Sequence, residues 1–286
     1  MKPGIHPELP IDAYHLSEGI SKTGLCLFSI APLLYKFRSS ASKAESRPLS
    51  IGKAVHAMMD GSFDQHFVVG PEVKSRAEKI WRDFAKSHEG NEILRPVDAK
   101  LVRDMQGSLL SFSPTRELLA GPGRFESSLY WEDTQTQALC KCRPDWISAD
   151  FKTVIDFKTS ADAAHGAFQK SAYAHQYFVS AAHTLDGIKA VTGILPERYI
   201  FLVVQSSPPH LTAAYEATAD ELALGRDFIR RSLLRYSRCQ ETDFWPGLPA
   251  EILPLGLPRW ARSEIESETT DDSIAIETTE PANWWE

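Results

Sequence analysis

No apolar run in the sequence approaches the ~18 residues that a membrane span requires, so no transmembrane helix is expected. The opening MKPGIHPELPIDAYHLSEG also lacks the apolar segment of a signal peptide, and the expected location is the cytoplasm. Cysteine is scarce: Cys26, Cys140, Cys142 and Cys239 are the only four. They form no C-x2-C pair of the zinc-site kind and no framework of secreted disulfides, which predicts reduced thiols packed as small hydrophobes. Lys and Arg are missing from residues 263–286, which carry eight carboxylates and many Thr and Ser residues. Such a segment is a poor core former and is expected to be disordered. With it set aside, the net charge of −7 becomes 31 basic against 30 acidic residues. A near-neutral body can still present a local basic groove, so charge neither excludes nor argues for nucleic acid. What remains is ordinary for a domain with a proper core, 43% hydrophobic and 24% charged. The expected organisation is one domain over 1–262 and an acidic tail over 263–286.

The first residues read as extended as far as Gly19. Ser21 then reads as the cap of a helix running through Leu34, and the polar tract 38–47 as a loop. A second helix begins near Ile51 and carries Val55, His56, Met58 and Met59. Residues 73–119 read as mostly helical, anchored by Ile80, Trp81 and Phe84 and broken at Arg95-Pro96. After the Gly121-Pro122-Gly123 turn, β-branched and aromatic residues predict three strands: Phe125–Trp131, Ala138–Ile147 and Thr153–Phe157. A long helix over roughly 163–185 ends at Asp186-Gly187. A hairpin of 199–205 and 211–217 follows, then a helix over 219–238. The segment 244–262, rich in proline and glycine, reads as ordered coil packed by Trp245 and Trp260. This order predicts an α/β fold, a mixed β-sheet flanked by helices.

The chemistry concentrates in Cys142-Arg143-Pro144-Asp145 and Val154-Ile155-Asp156-Phe157-Lys158-Thr159. Asp156 and Lys158 are two apart on a strand and therefore leave the same face. Asp145 falls on the neighbouring strand if a short turn through Asp150 joins the two. On a surface strand, D-x-K is commonplace. Here Val154, Ile155 and Phe157 are apolar, so the charged pair lies in a buried strand, where charges persist only when paired or bound to metal. Two carboxylates and an ammonium supply what phosphodiester hydrolysis needs. Oxygen ligands hold Mg2+, the ion lowers the pKa of a bound water, and a lysine offsets charge at phosphorus.

Together these segments resemble the core motif of the RecE-type exodeoxyribonuclease VIII family, within the PD-(D/E)XK nuclease superfamily. The likeness extends through LSEGISKTGLCLF, IGKAVHAMM, FESSLYWE, CQETDFWPGL and LPLGLPRWA, covering most of residues 17–262. It implies a PD-(D/E)XK, restriction-endonuclease-like core. In that resemblance Asp145 and Asp156 are metal ligands, Lys158 is the catalytic lysine, and the Phe157 carbonyl is a further ligand. His56 matches the family's metal histidine, and Glu126 matches a carboxylate on the first core strand. The family also carries a glutamine followed four residues later by a tyrosine, shortly before the Asp-Gly turn. Ser180 and Thr184 occupy those places here, with Gln176 one helical turn earlier. Either Gln176 acts from a shifted position or that polar contact to DNA is lost. Ser21, Lys22, Lys36 and Arg38 surround the helix where relatives hold a 5′ end.

The resemblance further implies Mg2+, one or two ions with Mn2+ as a substitute, and duplex DNA ends as substrate. Degradation would run 5′ to 3′ and leave 3′ single strands for recombination. A ring-like homo-oligomer and a single-strand annealing protein are the implied partners. Two other readings stay open: a RecB-like endonuclease or single-strand nuclease, and an inactive nuclease fold that only binds DNA. Some RecB-like relatives hold an iron–sulfur cluster on four cysteines, a pattern that Cys26 and Cys239 alone do not supply.

Overall fold

A computed structural model describes residues 1–38, 46–259, 261–263 and 265–266. The chain divides into two compact units, Met1–Gly247 and Leu248–Glu286. The first contains a short strand β1 (Gly4–His6) and helices α1 (Ile11–Leu16), α2 (Lys22–Ile30), α3 (Pro32–Lys36), α4 (Arg47–Asp60) and α5 (Phe63–His66). There follow β2 (Phe67–Val69), α6 (Lys79–Ser87), β3 (Glu92–Leu94), α7 (Pro96–Ser111) and α8 (Ser113–Leu119). Next come β4 (Gly123–Phe125), β5 (Ser128–Glu132), β6 (Leu139–Cys142), β7 (Trp146–Ser148) and β8 (Thr153–Ser160). The unit closes with α9 (His165–Ala174), α10 (Tyr177–Thr192), β9 (Arg198–Gln205), β10 (Thr212–Glu216) and α11 (Ala219–Thr242).

The central sheet has the order β10-β9-β8-β7-β4 and is mixed, as expected: β8 and β9 run parallel and the other pairs antiparallel. The crossover between β8 and β9 is made by α9 and α10, the helical connection that parallel neighbours need. Side chains alternate cleanly about this sheet. Val154, Tyr199, Phe201 and Val203 enter one core with Val179 and Leu185 of α10. Ile155, Phe157, Ile200, Leu202 and Val204 enter the other with Val55 of α4 and Val102 of α7. A second sheet, β1-β5-β6, and a parallel pair, β2-β3, complete the unit.

Several expectations need correction. The opening stretch contains α1, and the helix capped by Ser21 stops at Ala31 because Pro32 disfavours helical backbone in the residue before it. α4 starts at Arg47, four residues ahead of Ile51, with Pro48 in its first turn. The tract 73–119 is interrupted by β3, and Ile80 is 58% exposed while Trp81 is buried. The strands expected over 125–131 and 138–147 are each split in two. Glu126 turns left-handed (φ 50°) between β4 and β5, and Arg143-Pro144-Asp145 carries the chain from one sheet to the other. The long helix breaks at Gln176 (φ 52°), and its second half passes through Asp186-Gly187 to Thr192.

In the coil after α11, Trp245 stacks on Tyr35. Within the second unit, Ile252 and Leu255 are fully exposed. Residues 39–45, Trp260, Glu264 and the tail from 267 lie outside the described residues.

Candidate active site

The middle of β8 presents Asp156 and Lys158 on the α10 side of the sheet. Asp156 is buried, and its two oxygens have different partners: Oδ1 contacts the Lys158 ammonium and Oδ2 accepts from the Tyr199 hydroxyl at 2.8 Å. The Ser180 side chain of α10 lies near the same Tyr199 hydroxyl. Burial pushes the Asp156 carboxyl above the usual carboxylate range, with the Lys158 ammonium pulling the other way. The Lys158 ammonium lies 3.4 Å from the Phe157 carbonyl and 5.1 Å from the centre of the Tyr177 ring.

β7 pairs with β8 only as far as Ile155, so the β7-side edge of β8 is open beyond that residue. Asp145, immediately before β7, closes the gap: its Oδ2 accepts the Phe157 N–H at 2.6 Å. A residue's N–H and C=O leave a strand toward the same edge, so the Phe157 carbonyl also faces Asp145. The Glu126 N–H donates to the Asp145 carbonyl at 3.0 Å, which brings the Glu126 side chain to the same place. Its positive φ costs on the order of 1 kcal/mol, strain of the sort found at functional positions. His56, on the α4 face, approaches from the other layer, its Nδ1 3.3 Å from Asp145 Oδ1.

One ligand atom each from His56, Glu126 and Asp145 thus falls within 4.8 Å of the others. One imidazole and two carboxylates, with a carbonyl beside them, are an oxygen-rich donor set that fits a hard divalent cation. The three groups also shift one another's ionisation. Burial pushes the Glu126 carboxyl up, and the neighbouring Asp145 pushes it further, to about 7. Burial also opposes charge on His56, but Asp145 overrides it and raises the imidazole to about 9. Burial alone would raise Asp145, but His56, Lys158 and the Phe157 N–H together hold it below the carboxylate range. In this arrangement His56 offsets the Asp145 charge and Arg143 that of Glu126.

Asp156 lies outside the three-residue cluster, since Lys158 and Tyr199 take its oxygens. Gln176 stands at the break between α9 and α10, and its Oε1 is buried without a partner among the described residues. Next to it, the His175 carbonyl accepts from Lys22 at 2.5 Å, and Lys22 is near enough to Lys158 and Asp156 to feel both charges. Ser21 caps α2 through the Gly24 N–H. Lys36 pairs with Asp243, and Arg38 folds back over the Tyr35 ring at 3.7 Å. Of these four N-terminal candidates, only Lys22 reaches the carboxylates' field.

Sequence reasoning missed two supporting residues. Arg143 clamps Glu126 from Nε at 2.7 Å while its Nη1 donates to the Leu9 carbonyl and the Ser128 hydroxyl. It stood within C-R-P-D, where an arginine two residues before the Asp145 carboxylate was the available signal. Tyr199 gave no signal, because it reads as one more aromatic in an apolar strand.

A mixed sheet with this strand order and a carboxylate–lysine strand at its centre defines a PD-(D/E)XK-type core. The chain belongs to the family described as PDDEXK-like domain of unknown function (DUF3799), whose model matches residues 27–252. No curated protein matches it in sequence. Among solved structures, a "Putative exonuclease" from Eubacterium rectale is similar over 90% of this chain and 98% of its own, at 13% identity and a TM-score of 0.61. That likeness is one of fold. The structure of SSO0001 is 15% identical over 74% of this chain and 85% of its own, but a TM-score of 0.30 supports no argument. Among the described residues, no helix is long and apolar enough to cross a membrane.

Proposed function

We propose that the chain is a Mg2+-dependent exonuclease of the RecE type, degrading linear duplex DNA 5′ to 3′ and leaving 3′ single strands for strand annealing. One observation carries the reading: the His56–Glu126–Asp145 cluster and the Asp156–Lys158 pair meet across the open edge of β8. The description of the Eubacterium rectale protein as a "Putative exonuclease" supports the same direction. Mg2+ suits the oxygen-rich donors, with Mn2+ as a substitute. When bound, such an ion supplies Lewis-acid stabilisation of phosphoryl charge and acidifies water.

The chain's own residues do the rest. Lys158 is held by Asp156 and by the face of Tyr177, from where its ammonium offsets charge developing at phosphorus. Tyr199 fixes Asp156, and Arg143 fixes Glu126, so neither carboxylate swings when DNA arrives. Asp156 and the Phe157 carbonyl stand beside the cluster and would help to hold the ion if Lys158 turned to the phosphate. Lys22 adds a second positive group, and the Gln176 amide a polar contact to the strand.

The accompanying proposals are a ring-like homo-oligomer, an annealing protein as partner, a cytoplasmic setting, and a catalytic domain over 1–262 with a dispensable tail. The test is a duplex labelled at one 5′ end beside a covalently closed circle of the same sequence, both in Mg2+. Loss of the linear molecule from its 5′ ends with the circle intact is expected. Efficient cutting of the circle would replace the exonuclease reading by an endonuclease one.

A further inference from the structure

A cavity of about 570 Å3 in the first unit lies away from the carboxylates. It lies between the start of α4, the loop before α6, and β3. Its walls carry Arg47, Lys74, Arg76 and Arg95 against two acids, Glu92 and Asp98. The acids are turned inward. Asp98, only 4% exposed, accepts from Arg47 Nε at 2.8 Å and Arg95 Nε at 3.2 Å. Glu92 is occupied by the Ser50 hydroxyl and lies 3.8 Å from the Lys53 ammonium.

The bases face outward. The Arg47 and Arg95 side chains are 57% and 44% exposed, while one shared carboxylate holds both guanidinium groups in place. Lys74 and Arg76 are exposed, with Arg76 lying 5.2 Å over the buried Trp81 ring. A guanidinium fixed from behind presents its remaining N–H groups with little entropy left to lose, which suits bidentate phosphate recognition. Two smaller cavities differ in this respect. There Arg226, Arg230 and Arg198 are each matched by a carboxylate of their own: Asp186, Asp133 and Glu216.

The cleft is joined to the candidate active site by one rigid element. Arg47 begins α4 and His56 lies nine residues on, roughly 13 Å along the axis at 1.5 Å per residue. We infer that the cleft binds the phosphate backbone of a nucleic-acid strand extending a few nucleotides beyond the carboxylate site. The inference rests on the proposed nuclease function for its substrate class. It adds a binding surface that lies outside the set formed by Ser21, Lys22, Lys36 and Arg38.

The test uses Lys74→Ala/Arg76→Ala in the full chain, because neither residue supports a buried carboxylate. Lys189→Ala, on α10, serves as the control. Binding of a fluorescent linear duplex is followed by anisotropy over a salt series with a chelator present, so that no cleavage intervenes. Each phosphate contact adds about 0.9 to the slope of log K against log salt. The double variant should therefore show a slope lower by about 2 and an affinity at least about tenfold weaker at low salt, with the control near wild type. An unchanged slope would overturn the inference, as would wild-type protein that binds no duplex at low salt, or free inorganic pyrophosphate displacing nothing. Failure of the nuclease reading would look different: DNA bound with the expected salt slope but never cut on addition of Mg2+.

Discussion

The Tyr199 hydroxyl donates a 2.8 Å hydrogen bond to the buried Asp156 carboxylate across the parallel ladder of β8 and β9. Tyr199 is in register with Val154, two residues before Asp156 on the same face, so the bond runs diagonally. It leaves one carboxylate oxygen to Lys158 and satisfies the other.

Removing this donor in Tyr199→Phe strands a buried oxygen without replacing it. The expected loss is about 1–3 kcal/mol of stability, in the range for an unsatisfied buried group. Denaturant unfolding would measure it, and a midpoint equal to wild type would contradict it.

The pH dependence of stability should carry the mark of His183. Its ring is buried 4.7 Å from Trp131, with Nε2 3.2 Å from the Lys141 carbonyl, and burial drives its pKa from 6.5 down to about 4. As pH falls below 6.5 the unfolded chain takes up a proton that the folded chain refuses, so stability declines. The decline levels off near pH 4, after about 3 kcal/mol at 1.36 kcal/mol per unit. His183→Gln should flatten the difference between pH 6.5 and 4. Parallel curves for the two proteins would show that the histidine is not buried neutral.

Two helical glycines should respond oppositely to alanine. At Gly225 of α11, a Cβ would meet the Phe178 carbonyl oxygen at 2.5 Å and the Ala182 Cβ at 2.8 Å. The gain in helix propensity, about 1 kcal/mol, is outweighed where backbone must move, and a net loss of about 1–2 kcal/mol is expected. At Gly107 of α7 nothing lies within 4 Å, so Gly107→Ala should stabilise by up to about 1 kcal/mol. Thermal melts of both variants check the pair, and equal shifts would contradict it.

Much of this architecture is legible in the residues because the local signals agree with the fold. The apolar run around Asp156 and Lys158 marks a central strand, and period two puts both side chains on one face. What escapes is set over long range or against local preference. Helical periodicity continues on both sides of Gln176 with no glycine or proline to mark its left-handed turn. Three-residue strands such as β2 and β3 are too short to interrupt a helical pattern. Pro144 punctuates the Cys142–Asp145 run, yet only tertiary pairing decides that β6 and β7 belong to different sheets. Asp145 and Glu126 come together through a backbone bond between residues 19 apart, which no spacing rule reports.

The most direct measurement of the central claim is the single-turnover rate of duplex cleavage over a Mg2+ titration, for wild type, Asp145→Ala and Lys158→Ala. Asp145 belongs to the candidate ligand cluster, so its removal should lower turnover and raise the Mg2+ requirement, with partial recovery at high Mg2+ or in Mn2+. Lys158 acts on charge at phosphorus, worth ~3–4 kcal/mol, so its removal should cost a factor of several hundred that no metal concentration restores. Binding of duplex ends should survive in Lys158→Ala, since many phosphate contacts share the affinity. Cleavage by both variants at near wild-type rates, or cleavage by wild type in excess chelator, would contradict the account.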